Sequence, residues 1–155
     1  MSSILKKLLS LRKMAYLMLD GDFNILEAST GVQRFADRPN EILKGKDVRV
    51  GFPELIGLED ILIAILQGRQ DSFELKGIGR FSLQNTPLYI DILVINSQDE
   101  EDIERKLIIF FEDVTEKMVQ EQKLVQSSNE ISLLLEAWSE SSNYLDRIIT
   151  SLKDV

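Results

Sequence analysis

The spacing of apolar residues changes repeatedly along the chain, and each change marks an element. From Ser3 to Lys13, apolar residues fall at Ile4, Leu5, Leu8, Leu9 and Leu11, with Lys6, Lys7, Arg12 and Lys13 among them. This pattern predicts an amphipathic helix. Tyr16–Leu19 and Ile25–Ala28 then read as two short strands around Asp20, Gly21, Asp22, Phe23 and Asn24, and the Asp-Gly pair is expected to supply the positive backbone angles of a tight hairpin. Ser29-Thr30-Gly31 and Arg38-Pro39-Asn40 offer starts for short helical turns. Residues 45–57, punctuated by Gly45, Gly51, Pro53 and Gly57, read as an irregular connection. Leu58, Ile61, Leu62, Ile65 and Leu66 return to helical spacing, so a helix is expected over Leu58–Gln67, stopped by Gly68.

Three strands should follow as a meander: Ser72–Lys76, with an extension past Gly77-Ile78-Gly79 to Leu83 as the longer alternative, then Leu88–Asn96 and Lys106–Phe111. The polar run Ser97–Asp102 between the last two reads as a solvated tip. Leu88–Ile95 and Leu107–Phe111 are apolar at both alternating sets of positions, so their pattern does not say which face is core. A one-layer antiparallel sheet is expected to be polar outside. Ile108 and Phe110, or their alternates Ile109 and Phe111, should therefore be covered by the first helix or by a second subunit. From Glu116 to Val155 there is neither proline nor glycine, which permits one long helix. Leu124, Ile131, Trp138, Leu145 and Leu152 recur every seven residues, with Leu134 and Ile148 at the complementary position and Leu135 and Ile149 beside them. Ser127, Ser128, Ser141 and Ser142 interrupt this seam, so the expected coiled coil is a marginal parallel dimer.

The junction between the last strand and this helix carries the most local chemistry. Asp113 is placed to accept N–H groups of the first helical turn, and Glu116 three residues on can reach back, as in a capping box. The Thr115 hydroxyl is positioned to bond a neighbouring loop. Asp113, Thr115 and Glu116 are accordingly the candidate signal-coupling residues, with an ordinary helix cap as the competing explanation.

Composition narrows the function classes. Across 155 residues, 44% hydrophobic and 28% charged, the chain has the balance of a folded protein, and one core plus an extension suits its length. A net charge of −8 argues against a nucleic-acid partner, and the basic residues before Met14 make the remainder more acidic still. No apolar run approaches a membrane span, and a cytoplasmic location is the expectation. The absence of histidine and cysteine removes the usual metal ligands and nucleophiles, and no glycine-rich phosphate loop or nucleophile elbow is present. Neither catalysis nor a cofactor is expected in this chain.

The hairpin, the short helical turns, the longer helix, the three antiparallel strands and the ending Asp113-Val114-Thr115-Glu116 together resemble a PAS sensory domain over residues 15–116. In that family the last strand commonly ends in an Asp-hydrophobic-Thr motif that couples the domain to a signalling helix, and Asp113, Val114 and Thr115 match it. Asn24 departs from the pattern where such hairpins often carry glycine. The resemblance implies an α+β fold: a five-stranded antiparallel sheet with helices on one face, usually dimeric. Residues 1–14 would then be an N-terminal amphipathic helix and 117–155 a coiled-coil signalling linker. The partners expected are a second copy and a downstream effector, such as a histidine kinase or nucleotide cyclase, on residues outside this chain. Lacking histidine and cysteine, the chain has no haem ligand of the usual kind and no site for a covalent flavin or chromophore adduct. Leu62, Ile65, Phe73, Ile90 and Ile92 are candidates to line a pocket for a small apolar ligand, against the reading that they are filled core. A GAF-like sensory domain and a non-sensory dimerisation adaptor are the rivals, and an enzyme using carboxylates is more distant. Leu8–Met14 and Ile149–Val155 share a short pattern, apolar, variable, Ser, Leu, basic, charged, apolar, read either as the lead-in to a further unit or as a coincidence between two amphipathic helices.

Overall fold

Alternating burial runs along the last three of the five strands that build the sheet. A computed structural model describes residues 3–81, 86–97 and 104–153. The strands are β1 (Met14–Leu19), β2 (Ile25–Ala28), β3 (Ser72–Phe81), β4 (Pro87–Ser97) and β5 (Lys106–Asp113), all antiparallel in the order β2-β1-β5-β4-β3. Before β1 lies α1 (Ser3–Leu11). Between β2 and β3 come 3-10 turns at Val32–Phe35, Pro39–Glu41 and Pro53–Leu55, together with α2 (Val48–Gly51) and α3 (Glu59–Leu66). After β5 runs α4 (Thr115–Lys153), 39 residues long. Two compact units divide between Thr115 and Glu116, so α1 and the whole sheet belong to one and nearly all of α4 is the other. The possible strand extension at Leu83, the polar run beyond Ser97 and the last two residues lie outside the described residues.

Tertiary contacts choose the face that the sequence pattern left open. Ala15, Phe111, Ile92 and Leu75 pair across the strands on one face, as do Leu17, Ile109, Val94 and Phe73. The residues these rows take from β1, β5 and β4 are buried, with Leu62 and Ile65 of α3, Val48 of α2, Phe35 and Phe52 laid over them. Phe111 stacks on Phe52 at 4.4 Å between ring centres, which adds roughly 1 kcal/mol to the area that the rings bury. Ile108 and Phe110 therefore face outward, beside Met18, Tyr16, Leu93 and Ile95. The first helix packs against β1 and covers this outer face only in part: Tyr16 is buried, while Met18, Leu93, Ile95, Ile108 and Phe110 are half-buried. Ile4, Leu8 and Leu11 remain exposed, and only Leu9 of α1 is half-buried.

Three local expectations are decided for identifiable reasons. Residues 45–57 are more regular than their glycines imply, because Asp47 accepts the Arg49 N–H at 2.9 Å and starts α2, while Pro53 begins a 3-10 turn. Gly77 lies inside β3, so the longer alternative holds as far as Phe81. At φ 68° it sits in a bulge between Leu75 and Ile78, and its N–H donates to Asp91 Oδ1 at 2.8 Å. In the hairpin the left-handed residue is Phe23, at φ 67°, and not Gly21. Asn24, where such hairpins often carry glycine, is accommodated without a positive φ, its N–H donating to Asp20 Oδ1 at 2.9 Å. Phe23 is buried beneath the Arg49 guanidinium, and burying a ring outweighs the left-handed penalty of about 1–2 kcal/mol.

Candidate functional site

The end of β5 is built around the Asp113 carboxylate. Oδ1 accepts from the Thr115 N–H at 3.0 Å and from the Thr115 hydroxyl at 2.6 Å, and Oδ2 meets Arg34 Nη1 at 3.2 Å. The Thr115 oxygen in turn accepts the Tyr89 N–H of β4 at 3.0 Å, and Val114 N–H donates to Tyr89 O at 2.9 Å. Asp113, Thr115, Tyr89 and Arg34 thus form one connected set across β4, β5 and the Val32–Phe35 turn. The threonine reaches a strand where a loop was expected. Burial of the carboxyl works to raise its pKa, but the two Thr115 donors and the Arg34 charge outweigh that and hold it below the usual aspartate value.

Only one arm of the expected capping box has its partner. Asp113 caps the first turn through Thr115, but its own N–H already donates to Lys13 O at 3.1 Å, leaving no donor there for a returning Glu116 carboxylate. Lys13 follows α1 in a left-handed conformation, φ 56°, so the strand end is also tied to the turn between α1 and β1. Sequence reasoning missed Lys13, Arg34 and Tyr89. Arg34 lies 79 residues from Asp113, and no local signal joins them.

A second arginine holds the same 3-10 turn from the other side. Arg80 of β3 donates through Nε to Phe35 O at 2.6 Å and pairs through Nη1 with Glu54 at 2.5 Å, its side chain only 9% exposed. Arg34 stands over the Phe35 ring at 4.3 Å. The turn Val32–Phe35 is therefore held by Arg80 at its backbone and joined to the strand end by Arg34.

The remaining candidate residues fall into two places. Leu62, Ile65, Ile90 and Ile92 are in the packed core, each at most 1% exposed, and Phe73 packs against it from the sheet edge. Leu124, Ile131, Leu134, Trp138, Leu145, Ile148 and Leu152 all lie on α4 and are exposed. A straight helix drifts about 20° per heptad, so this row winds slowly around α4. Among the described residues no helix is long and apolar enough to cross a membrane, and no group of three or more acidic side chains is placed to hold a metal ion.

No family model matches the chain, and no curated protein matches it. Similarity appears among solved structures. A sensory box sensor histidine kinase from Vibrio cholerae is 20% identical, with 72% of this chain and 90% of that one covered at a TM-score of 0.47. A PAS domain from Colwellia psychrerythraea is 13% identical over 74% and 99% of the two chains, TM-score 0.49. The PAS domain of Bordetella pertussis BvgS is 15% identical over 83% and 99%, TM-score 0.48. At these values the likeness adds no argument of its own; the chain's own strand order, with its helices between β2 and β3 over one face, is what makes the fold PAS-like α+β.

Proposed function

We propose that the chain is a PAS-type sensory relay, passing a change in the sheet through Asp113 and Thr115 into α4 and on to an effector outside this chain, a histidine kinase or a nucleotide cyclase. The observation that carries the reading is the connected set at the strand end. One carboxylate joins the last strand, its neighbour β4, the helical turn and the first turn of α4, so a shift in any of the first three alters how the helix begins. The half-buried apolar residues on the outer face of the sheet, the exposed stripe of α1 and the exposed heptad row of α4 support a homodimer. In the full-length protein, Asp113→Ala with Thr115→Ala should uncouple output from stimulus while the domain stays folded. Unchanged regulation in that double variant would reject the relay.

A second reading is a non-sensory dimerisation adaptor, favoured by the filled core at Leu62, Ile65, Ile90 and Ile92. Native mass spectrometry of protein taken from its own host separates the two readings. A co-purifying small molecule supports the sensor, and a dimer without one supports the adaptor.

A further inference from the structure

A cleft of about 270 Å³ opens between α1, the start of β1, the end of β2 and the Val32–Phe35 turn. Its cations are Lys6 and Lys13 from the α1 side and Arg34 from the turn, and Thr30 adds a hydroxyl. One carboxylate, Glu27, opposes them. That carboxylate already accepts the Tyr16 hydroxyl at 2.5 Å, and burial together with Glu27 pushes the phenol up to about 12, so Tyr16 keeps its proton and goes on donating. In a chain whose net charge is −8, three cations against Glu27 and the Asp113 partner of Arg34 leave a local excess of one positive charge.

Arg34 makes this cleft more than a basic patch. It is half-exposed and holds Asp113 by a single bond at 3.2 Å, without the bidentate geometry that makes arginine–carboxylate pairs strong. An incoming oxyanion that takes two guanidinium donors competes well against one exposed contact. Lys13, also at the wall, contributes the carbonyl that receives the Asp113 N–H. The ties of Asp113 to Arg34 and to Lys13 therefore both end at the rim of the same cleft.

We propose that this cleft binds a small oxyanion-bearing molecule, carboxylate or phosphate, and that binding draws Arg34 away from Asp113. The volume suits a compact anion and is small for a drug-sized ligand. Loss of Arg34 leaves Thr115 as the carboxylate's remaining partner among the described residues, so occupancy is read at the first turn of α4. Binding is independent of any output; its consequence for signalling rests on the relay proposed above.

The test is an NMR titration of the ¹⁵N-labelled chain with inorganic phosphate and, separately, with succinate, each against chloride at matched ionic strength. The expected result is saturable shifts at the Lys13, Gly31 and Thr115 amides with one of the two probes, and which probe acts names the anion. Arg34→Gln and Lys6→Gln should each weaken binding about tenfold, the scale of one charged hydrogen bond. Lys13→Asn, which keeps the left-handed backbone available, should do the same, and Lys44→Gln outside the cleft should not. Non-saturating drift equal to that with chloride overturns the site, as does saturable binding that Arg34→Gln leaves intact. Saturable binding with Thr115 unmoved overturns the recruitment of Arg34. Regulation that survives Asp113→Ala with Thr115→Ala would instead reject the relay and leave the binding result standing.

Discussion

Two arginines grip the Val32–Phe35 turn, and they are built for different work. Arg80 is almost wholly buried, bonded to the Phe35 carbonyl and to Glu54, with Asp37 at 3.7 Å; Arg34 is 47% exposed and bonded once, to Asp113. Burial makes the first contact strong and hard to exchange, because an ion that loses its partner away from water keeps its full desolvation cost. Exposure makes the second contact weak, and solvent or another anion can replace either side of it. The turn is thus anchored to β3 and only latched to β5, which is the asymmetry a switchable strand end requires.

The largest effect that tests this contrast is at the buried anchor. Arg80→Ala should cost about 3–5 kcal/mol in denaturant unfolding, since it strands Glu54. Replacing the pair together, Arg80→Met with Glu54→Leu, should recover most of that loss, because Arg80 Nη2 and Glu54 Oε2 are buried without a hydrogen-bonding partner among the described residues. If the double variant stays as unstable as Arg80→Ala, the anchor is more than a packed ion pair. Next in size, Asp113→Ala should cost about 1 kcal/mol, the worth of a lost helix cap.

Acid titration follows from the same residue. The folded pKa of Asp113 is depressed, so its contribution is fully present above the unfolded value near 3.8 and is lost as pH falls through the lower folded value. The stability curve of Asp113→Asn should consequently approach wild type as pH falls below 3.8 and lie farthest from it near pH 7, a comparison made by urea melts across that range. The smallest effect belongs to the latch: Arg34→Gln should change stability by less than about 1 kcal/mol, and its difference from wild type should shrink further in 1 M salt. A loss at Arg34 as large as that at Arg80 would erase the distinction between anchor and latch.

What was legible in the sequence follows the range of the interaction. Asp113 and Thr115 are two residues apart, and their cap is written in side-chain type and spacing alone. Both strands of the hairpin and the helix α3 lie within a residue or two of where hydrophobic period put them. Arg34, Tyr89 and Arg80 were illegible for the opposite reason, since each meets its partner across 26 to 79 residues and only the sheet brings them together. Phe23 fails for another reason. Its sequence shows an aromatic residue beside an Asp-Gly pair, and the left-handed backbone is selected by a core that pulls the ring inward.

By itself, the sequence determined the order and kind of the elements and the cap at Asp113, all of which depend on neighbours within a few residues. It also determined the apolar row on α4, because a heptad is a property of one helix. Only tertiary structure decided that Ile109 and Phe111 face the core while Ile108 and Phe110 face outward: both phases of β5 are apolar, and the helices that cover one side select between them. Tertiary structure likewise decided which arginine is buried, since a guanidinium is anchored or latched according to the water it loses, and that is settled by packing.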